Sequence, residues 1–397
     1  MDLDGIVNQV DKERLYKHIA ELEGIKHHEV NPKNLKDAAD YIKKELEEYG
    51  LIVSEQKFSF ESIAHEFRNI EGVIGEGEKP EILITSHYDT VPNSPGANDN
   101  ASAVAAMLEA ARILADQKIK GKNIRFVSFT LEELHPVRNS NMRQKRRELN
   151  LVDNNDRYVS SHTQQMVRLF YKKFYKLSLT NSYEKASRIA FEEIKSQLDE
   201  NEIKYAKYLI EVFSDLKSTT DWIGKTGLVG SSKWIKQAIK DKKEILGVLN
   251  LECIGYSSKG KHSQKLPSNL FKIFPKYKTN MIKEIGDFIA IVGDKNAKSL
   301  AKNFCKHCKN KSIELPYVNL ALPFSFQFIA DKARDLLRSD HAPFMQYGIP
   351  AVMITDTANF RYPYYHTEAD TIDKLDFNFM RKVCQVTIAC ALDFMQI

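Results

Sequence analysis

The sequence contains few cysteines, five in 397 residues. An odd and sparse set of thiols excludes the disulfide framework of small secreted domains, so we expect reduced cysteines in a cytoplasmic protein. Long apolar runs are also absent, because even the alanine-rich stretch 101–115 contains Glu109 and Arg112. The amino terminus lacks the continuous apolar core of a secretory signal. We therefore expect neither export nor a membrane span.

Most of the chain has no excess of charge of either sign. Lys and Arg number 58 against 53 Asp and Glu, which gives a net charge of +5. The segment 138–225 contains 17 basic and 12 acidic residues, and the remainder contains 41 of each. The dense basic run at 143–147 has no interleaved aromatic residues. We interpret it as a solvated face and expect no nucleic-acid partner.

Short apolar segments alternate with amphipathic ones along most of the sequence. Residues 81–86 (EILITS) are typical of a buried central strand, and residues 100–116 are typical of a helix. Further strands are predicted at 51–60, 69–74, 123–130, 244–251, 288–293 and 350–355, and further helices at 32–49, 295–309 and 376–395. This alternation predicts an α/β fold, a mostly parallel mixed sheet sandwiched by helices. Ligands bind outside the carboxyl ends of the strands in such sheets.

The alternation is interrupted between residues 135 and 226. This segment is rich in Lys, Tyr, Glu and Gln and has helical spacing of its apolar residues. We predict that 1–134 and 227–397 form one catalytic domain. Residues 135–226 would then be a helical insertion, which could act as a lid.

Residue types that bind metals occur where the predicted strands end. His87 follows the strand at 81–86, and the adjacent Glu132 and Glu133 follow the strand at 123–130. Each has an ordinary explanation when taken singly, and Asp99 could be only a helix cap. Adjacent carboxylates at the end of an apolar strand are nevertheless costly without a cation. The full candidate set is His87, Asp89, Asp99, Glu132, Glu133, Glu252 and His366.

Four stretches of sequence resemble a known family in the order in which they occur. They are HYDTVPNSPGANDNASAVAAMLEAARIL from 87, FTLEE from 129, GLVGS from 227 and SDHAPFMQYGIPAVMITDTANFRYPYYHTEADTIDKLD from 339. They resemble the motifs of zinc-dependent aminopeptidases with two co-catalytic metals, a family that includes bacterial leucyl aminopeptidases and glutamate carboxypeptidase. The resemblance covers residues 32–134 and 227–397.

The resemblance implies a site for two divalent metal ions, Zn²⁺ in most of the family. Asp99 would bridge both ions, His87 and Glu133 would complete one site, and Glu252 and His366 would complete the other. Most family aminopeptidases have Asp where this chain has Glu252, although the longer carboxylate can still bind a metal.

The resemblance also implies roles for three residues beside the metals. Asp89 would orient His87 through its second nitrogen. Glu132 would act as the general base, and Tyr365 would hydrogen-bond the tetrahedral oxyanion. Peptides are then the expected substrates, attacked at their amino termini. We also expect the basic segment 138–225 to lie beside the cleft and to favour acidic peptides.

Three other functions remain open from the sequence. Related carboxypeptidases and deacylases have Glu at the position of Glu252. Glutaminyl cyclases share the scaffold but use a single metal and dispense with the first histidine, so the presence of His87, Asp99 and Glu133 together speaks against cyclisation. A peptide-binding protein without catalysis is disfavoured because the base Glu132 is retained beside a full ligand set. The sequence does not determine the oligomeric state.

Overall fold

The computed structural model describes residues 2–117, 121–153, 156–266 and 284–396. Within these ranges eight strands form one mixed sheet. They are β1 (Ile52–Phe58), β2 (Phe67–Ile74), β3 (Glu81–His87), β4 (Asn123–Phe129), β5 (Ile245–Glu252), β6 (Ile289–Gly293), β7 (Tyr317–Ala321) and β8 (Ala351–Thr355). Their order across the sheet is β1-β2-β4-β3-β5-β8-β6-β7. The α/β fold predicted from the sequence is confirmed.

The four central strands of the sheet, β4, β3, β5 and β8, run parallel to one another. Every residue of β3, β4 and β8 is buried, as expected for strands covered on both faces. The pairs β1–β2, β2–β4 and β6–β8 are antiparallel. The sequence pattern did not predict β7, a half-exposed edge strand that pairs with β6. Because the central strands share one direction, their carboxyl ends lie at the same edge of the sheet.

Thirteen helices are found in the described ranges, and none is long and apolar enough to cross a membrane. One face of the sheet packs on α2, α3, α4, α10 and α13, and the other packs on α9, α11 and α12. The bounds are α1 (Leu3–Val7), α2 (Lys12–Leu22), α3 (Pro32–Glu48), α4 (Ser102–Ala115), α5 (Pro136–Glu148), α6 (Ser161–Ser178), α7 (Tyr183–Ile194), α8 (Glu200–Val212), α9 (Val229–Lys240), α10 (Lys298–Cys308), α11 (Phe326–Lys332), α12 (His341–Gln346) and α13 (Phe377–Gln396).

Helix α4 is the most deeply buried of the layer that covers β3. Its many alanines keep the helix thin, so that it packs closely against β3, α2 and α13. Its buried carboxylate, Glu109, is neutralised by Arg14 at 3.2 Å and Arg112 at 2.8 Å. A buried charge needs such partners. This rigid helix begins immediately after the turn that holds Asp99.

Helices α5 to α8 belong to the segment that interrupts the sheet. They enclose an apolar cluster that includes Phe170, Phe174 and Phe213. The chain leaves and re-enters the sheet layer side by side, since the N–H of Val229 donates to the carbonyl of Leu131 at 2.9 Å and its neighbours pair likewise. A side chain at position 230 could not be accommodated there, because a Cβ on Gly230 would lie 2.2 Å from the Thr130 carbonyl oxygen.

Candidate active site

The carboxyl ends of the parallel strands bring together side chains that are distant in sequence. His87 is the last residue of β3 and Glu252 the last of β5, and His87 Nε2 lies 3.4 Å from Glu252 Oε2. Glu132 follows β4, with Oε2 3.9 Å from the same nitrogen. His366, in the loop beyond β8, places Nε2 3.1 Å from Oε2 of Glu133. The metal-ligand candidates from the sequence therefore converge on one place.

Asp99 lies between the two histidines. Its Oδ1 is 3.4 Å from His87 Nε2, and its Oδ2 is 3.1 Å from His366 Nε2. The residue sits in a tight turn, Ala97–Ala101, directly before α4, and the Asp99–Asn100 peptide bond is cis. The backbone N–H groups of Asn98 and Asp99 donate to the carboxylate of Asp370 at 2.8 and 3.2 Å. These bonds fix the direction in which the Asp99 side chain points.

The distances divide the cluster into two halves that share Asp99. One half contains His87 and Glu252, and the other contains His366 and Glu133. This division differs from the grouping that the family resemblance implied, which joined His87 to Glu133. The reason is topological, because β3 and β5 are neighbours and their last residues adjoin. The halves touch, since donor atoms of His87, Asp99 and Glu133 also lie within 4.8 Å of one another.

The donor atoms of this cluster are suited to coordinate a divalent cation. Nε2 of both histidines, both Asp99 oxygens and Glu133 Oε1 are buried without a hydrogen-bond partner in the described part of the chain. Unpaired buried polar atoms are costly. Imidazole nitrogens combined with carboxylate oxygens are ligands that suit Zn²⁺ and related ions. The residues therefore fit a metal centre.

The pKa values of these groups indicate how the cluster is protonated when no cation is bound. Burial opposes charge on His366, but Glu133 and Asp99 outweigh it and raise the pKa of His366 to about 10. Burial also raises the pKa of Glu133 to about 7, despite the nearby His366. The pKa of Glu132 is raised well above its usual range, first by burial. Without a cation, the cluster therefore retains protons on these groups. A bound cation could displace those protons.

Asp89 connects the first histidine to the Glu132–Glu133 turn. Its Oδ1 accepts a hydrogen bond from the Glu132 N–H at 3.0 Å, and its Oδ2 accepts one from the Glu133 N–H at 3.2 Å. Oδ1 is also 3.5 Å from His87 Nδ1, and that nitrogen lies 3.2 Å from the Asp89 carbonyl oxygen. One buried carboxylate thus positions both the imidazole and the adjacent glutamates.

Tyr365 lies beside His366 and lines two cavities next to the cluster. Its ring stacks on that of His366, with centroids 3.8 Å apart and an interplanar angle of 15°. It lines a cavity of about 580 Å³ together with Glu132 and Glu133, and a smaller one of about 70 Å³ that reaches Glu252. Burial, and secondarily Asp99, raise the pKa of Tyr365. Its hydroxyl therefore stays protonated and can donate a hydrogen bond.

The inserted segment supplies much of the remaining wall of the larger cavity. Within its described residues, the lining side chains are uncharged: Met142, Tyr171, Phe174, Tyr175, Ser178, Leu179, Tyr183, Phe213, Trp222 and Thr226. The basic residues on which the expected preference for acidic peptides rested do not line this cavity within the described part of the chain. Many of the basic residues pair with carboxylates of the same segment, such as Arg147 with Asp156 at 2.6 Å and Lys173 with Glu193 at 2.6 Å. The cavity takes its cations, Arg334 and Arg338, from outside the segment.

Two residues that support the cluster were not assigned this part from the sequence. Ser339 donates to Glu252 Oε2 at 2.7 Å and accepts from the side chain of Asn250 at the same distance. Asp370 holds the turn at Asp99 and accepts from the Tyr362 hydroxyl at 2.8 Å. Ser339 is the first residue of the fourth stretch that resembles the family. For Asp370 the only signal is its place four residues after His366.

Sequence comparison finds relatives that match the chain over very different lengths. The protein YfbL of Escherichia coli strain K12 is 24% identical over 365 residues, which cover 89% of this chain and 78% of YfbL. Aminopeptidase YwaD of Bacillus subtilis strain 168 is 53% identical over only 53 residues, 13% of this chain and 11% of YwaD. The match to YfbL is long but of low sequence identity, and the match to YwaD is short but of high sequence identity.

Two solved structures share the fold. The LapA aminopeptidase of Legionella pneumophila superimposes with a TM-score of 0.59 at 15% identity, covering all of this chain and 75% of LapA. The glutaminyl cyclase of Porphyromonas gingivalis superimposes with a TM-score of 0.53 at 15% identity, covering all of both chains. At this identity the likeness shows the fold alone. The sequence profile of peptidase family M28 matches residues 69–391, most of the sheet and all of the candidate metal ligands, and the chain therefore belongs to peptidase family M28.

Proposed function

We propose that this protein is a metal-dependent aminopeptidase that removes amino-terminal residues from peptides with two divalent cations, most suitably Zn²⁺. The position of Asp99 between His87 and His366 carries the proposal, since each carboxylate oxygen faces one imidazole nitrogen. Membership of a peptidase family supports hydrolysis, and the local likeness to the aminopeptidase YwaD supports the amino-terminal specificity. All five cysteines are buried free thiols, which agrees with a reducing, cytoplasmic location.

The two halves of the cluster would hold one cation each. His87, Glu252 and Asp99 Oδ1 would bind the first, and His366, Glu133 and Asp99 Oδ2 the second. Bound there, the cations would polarise the scissile carbonyl and lower the pKa of a water molecule. Asp89 would keep the His87 ring in the orientation that directs Nε2 into the cluster.

Glu132 would be the general base. Its carboxylate lines the cavity, and at 3.9 Å from His87 it lies beyond hydrogen-bond distance of that nitrogen. It would take a proton from the attacking water and deliver it to the leaving amine as the peptide C–N bond breaks. The Tyr365 hydroxyl would donate a hydrogen bond to the oxyanion that develops on the carbonyl. The neighbouring Glu133 would attract the free amine of the substrate.

We also propose that segment 135–226 is a lid that limits the length of the substrate. Its aromatic side chains share the 580 Å³ cavity with Glu132, Glu133 and His366. Two residues of α5 in this segment donate to one carboxylate outside it, Glu29: Arg143 at 3.0 Å, and Ser140 through its hydroxyl. These contacts attach α5 of the lid to the catalytic domain.

Leu-p-nitroanilide and a peptide with a free or acetylated amino terminus test the aminopeptidase function. We expect hydrolysis by the Zn²⁺-loaded protein and none after acetylation. Glu132→Gln should lower kcat about 10²- to 10⁴-fold with unchanged metal content. The matched control is Glu148→Gln, an exposed residue of α5, which should keep full activity. Equal cleavage of the acetylated peptide would instead show a carboxypeptidase or deacylase.

Glutaminyl cyclisation is the second candidate, favoured by the structural likeness to the Porphyromonas gingivalis enzyme. A peptide that begins with Gln separates the two reactions, since cyclisation releases ammonia and leaves the peptide bond intact. Pyroglutamate formation with one metal ion per chain would support the cyclase. Peptide binding without any turnover would support a non-catalytic protein.

A further inference from the structure

We propose that Arg338 and Arg334 bind a carboxylate of the substrate peptide, so that the enzyme prefers short peptides that carry one. The proposal rests on the peptidase function proposed above, and it identifies the class of substrate. Both arginines line the cavity that also contains Glu132 and Tyr365. They lie in the stretch between α11 and α12, outside the inserted segment.

Arg338 is the residue that a ligand can reach. Its side chain is 44% exposed, and it lines both the larger and the smaller cavity, as Tyr365 does. Its nearest carboxylate is Asp335, at 3.8 Å from Nη1. At that distance the guanidinium is not held in a hydrogen-bonded pair. It remains free to turn its planar N–H groups toward a carboxylate.

Arg334 is buried, and its hydrogen-bonding capacity is only partly used. Only 3% of the residue is exposed, and its Nη2 donates to the Asn181 carbonyl at 2.9 Å. Its Cζ lies 5.4 Å from the centroid of the Tyr183 ring. Nε and Nη1 have no hydrogen-bond partner in the described ranges. A buried arginine with two nitrogens that lack hydrogen-bond partners is costly, and a carboxylate in the cavity could compensate by its charge and hydrogen bonds.

Two carboxylates lie near the pair, and neither accepts a close hydrogen bond from it in the described part of the chain. Asp335 lines the cavity beside both arginines, at 3.8 Å from Arg338. Asp331 keeps its charge, but its Oδ1 accepts from Thr219 at 2.5 Å and from Gln327 at 3.0 Å. Most N–H groups of the two guanidiniums are therefore left for a ligand.

The cavity as a whole matches a short peptide. The carboxylates of Glu132 and Glu133 complement the amine of a peptide, and the arginines complement its carboxylate. Aromatic side chains such as that of Trp222 can pack against an apolar residue of the peptide. A volume of about 580 Å³ is within the usual range for small-ligand sites. The carboxylate could be the carboxyl terminus of the peptide or an acidic side chain, and both have the same chemistry.

Three peptides distinguish these sources: Leu-Ala-Ala, its carboxyl-terminal amide, and Leu-Glu-Ala amide. We expect KM for at least one carboxylate-bearing peptide to be about tenfold or more below that of the uncharged amide. Arg338→Gln should remove this advantage, raise KM for that peptide and change kcat little. Arg168→Gln, an exposed charge on α6, is the matched control and should leave all three KM values unchanged.

A binding measurement makes the outcome independent of turnover. Trp222 lines the cavity, so its fluorescence should report binding of the same peptides to the Glu132→Gln protein. Arg338→Gln should weaken the carboxylate-bearing peptide about tenfold or more and leave the uncharged amide unchanged. Arg334→Gln should act in the same direction if it folds. A preference for Leu-Ala-Ala assigns the site to the carboxyl terminus, and one for Leu-Glu-Ala amide assigns it to the side chain.

Equal affinity for all three peptides, or an equal loss for all three in Arg338→Gln, would overturn the carboxylate site. Neither result would touch the peptidase function, which is tested by hydrolysis of the uncharged amide. Conversely, absence of hydrolysis together with Arg338-dependent binding of a carboxylate would remove the peptidase function and leave the binding site.

Discussion

His366 and Glu133 face each other with Nε2 and Oε2 3.1 Å apart, although one follows β8 and the other follows β4. The equivalent contact on the other side joins His87 to Glu252 at 3.4 Å. Asp99 contacts both histidines, one with each oxygen. The site is therefore built from two similar halves that have one carboxylate in common, and each half should be separable by mutation.

The two halves predict how metal content responds to double substitutions. His366→Ala should lose one bound ion, and His366→Ala with Glu133→Gln should lose no more, because both changes fall in the same half. His366→Ala with Glu252→Gln should lose both ions. Metal content per chain, measured by elemental analysis after dialysis against a low zinc concentration, distinguishes these results.

His262→Asn is the control for the loss of a histidine. The His262 side chain is 82% exposed and pairs with Glu284, which does not belong to the cluster. This variant should retain full metal content. If His366→Ala with Glu133→Gln loses both ions while His366→Ala with Glu252→Gln keeps one, the ligand grouping implied by the family resemblance is the correct one.

Asp89→Asn is expected to weaken the site without removing a ligand. The two carboxylate oxygens accept from two backbone N–H groups, at Glu132 and Glu133. An asparagine must turn its NH₂ group toward one of them, so that two donors face each other. Activity or metal affinity should fall about 10- to 100-fold. Steady-state kinetics at saturating and limiting zinc separate the two effects.

Asp116→Asn, on an exposed position after α4, is the matched control and should behave as the unmodified protein. Unchanged kcat and metal affinity in Asp89→Asn would show that the hydrogen bonds at Glu132 and Glu133 are dispensable. The orienting role of Asp89 would then be rejected.

The fold was predictable where the sequence pattern is determined by burial. The apolar runs that became β3 and β4 are buried on both faces, and residues at their carboxyl ends, such as His87, converge as expected. The edge strand β7 was missed because it is short and half-exposed, so its residues carry no strong apolar signal. Burial patterns identify central strands better than edges.

The arrangement within the site was less predictable. A sequence shows which residues end strands but not which strands adjoin, so it could not pair His87 with Glu252. The basic excess of segment 138–225 likewise did not show where its cations lie. Arg147 and Lys173 pair with carboxylates of the same segment and do not line the cavity. Aromatic residues such as Phe174 instead face the cavity, at a helical spacing that equally suits a packed core.

Phe174→Ala should loosen the inserted segment and leave the sheet intact. Phe174 is 1% exposed, stacks on Phe213 with centroids 4.8 Å apart, and belongs to the cluster enclosed by α5 to α8. The truncation should cost about 3–5 kcal/mol. Hydrogen exchange should accelerate in α6 to α8 and not in β3 or β5. If the segment is a lid, activity on a decapeptide should rise relative to a tripeptide.

Phe191→Ala provides the comparison, because Phe191 packs on the same cluster but does not line the cavity. It should loosen the helices less and leave the peptide-length ratio unchanged. Faster exchange throughout the sheet in Phe174→Ala would contradict an independently packed segment. An unchanged length ratio despite faster exchange in α6 to α8 would contradict the lid.

His18, which is not one of the candidate metal ligands, should make folding stability depend on pH. It is 2% exposed, and its Nδ1 lies 2.7 Å from the Tyr41 hydroxyl. Burial, helped by the positive charge of Arg14, lowers the pKa of His18 to about 4. The unfolded chain, with a pKa near 6.5, binds a proton that the folded protein excludes. Stability from this residue is therefore complete above about pH 6.5 and is lost as the pH falls toward 4.

The size of this effect is set by the difference between the two pKa values, which corresponds to at most about 3 kcal/mol. His18→Gln cannot titrate but can keep a hydrogen bond to Tyr41. Its unfolding free energy, measured in urea between pH 7 and 4, should fall less steeply than that of the unmodified protein. Tyr41→Phe, which removes the hydrogen bond and keeps the imidazole, should lower stability at every pH while preserving the slope. Parallel curves for His18→Gln and the unmodified protein would mean that His18 takes up its proton without unfolding the structure around it.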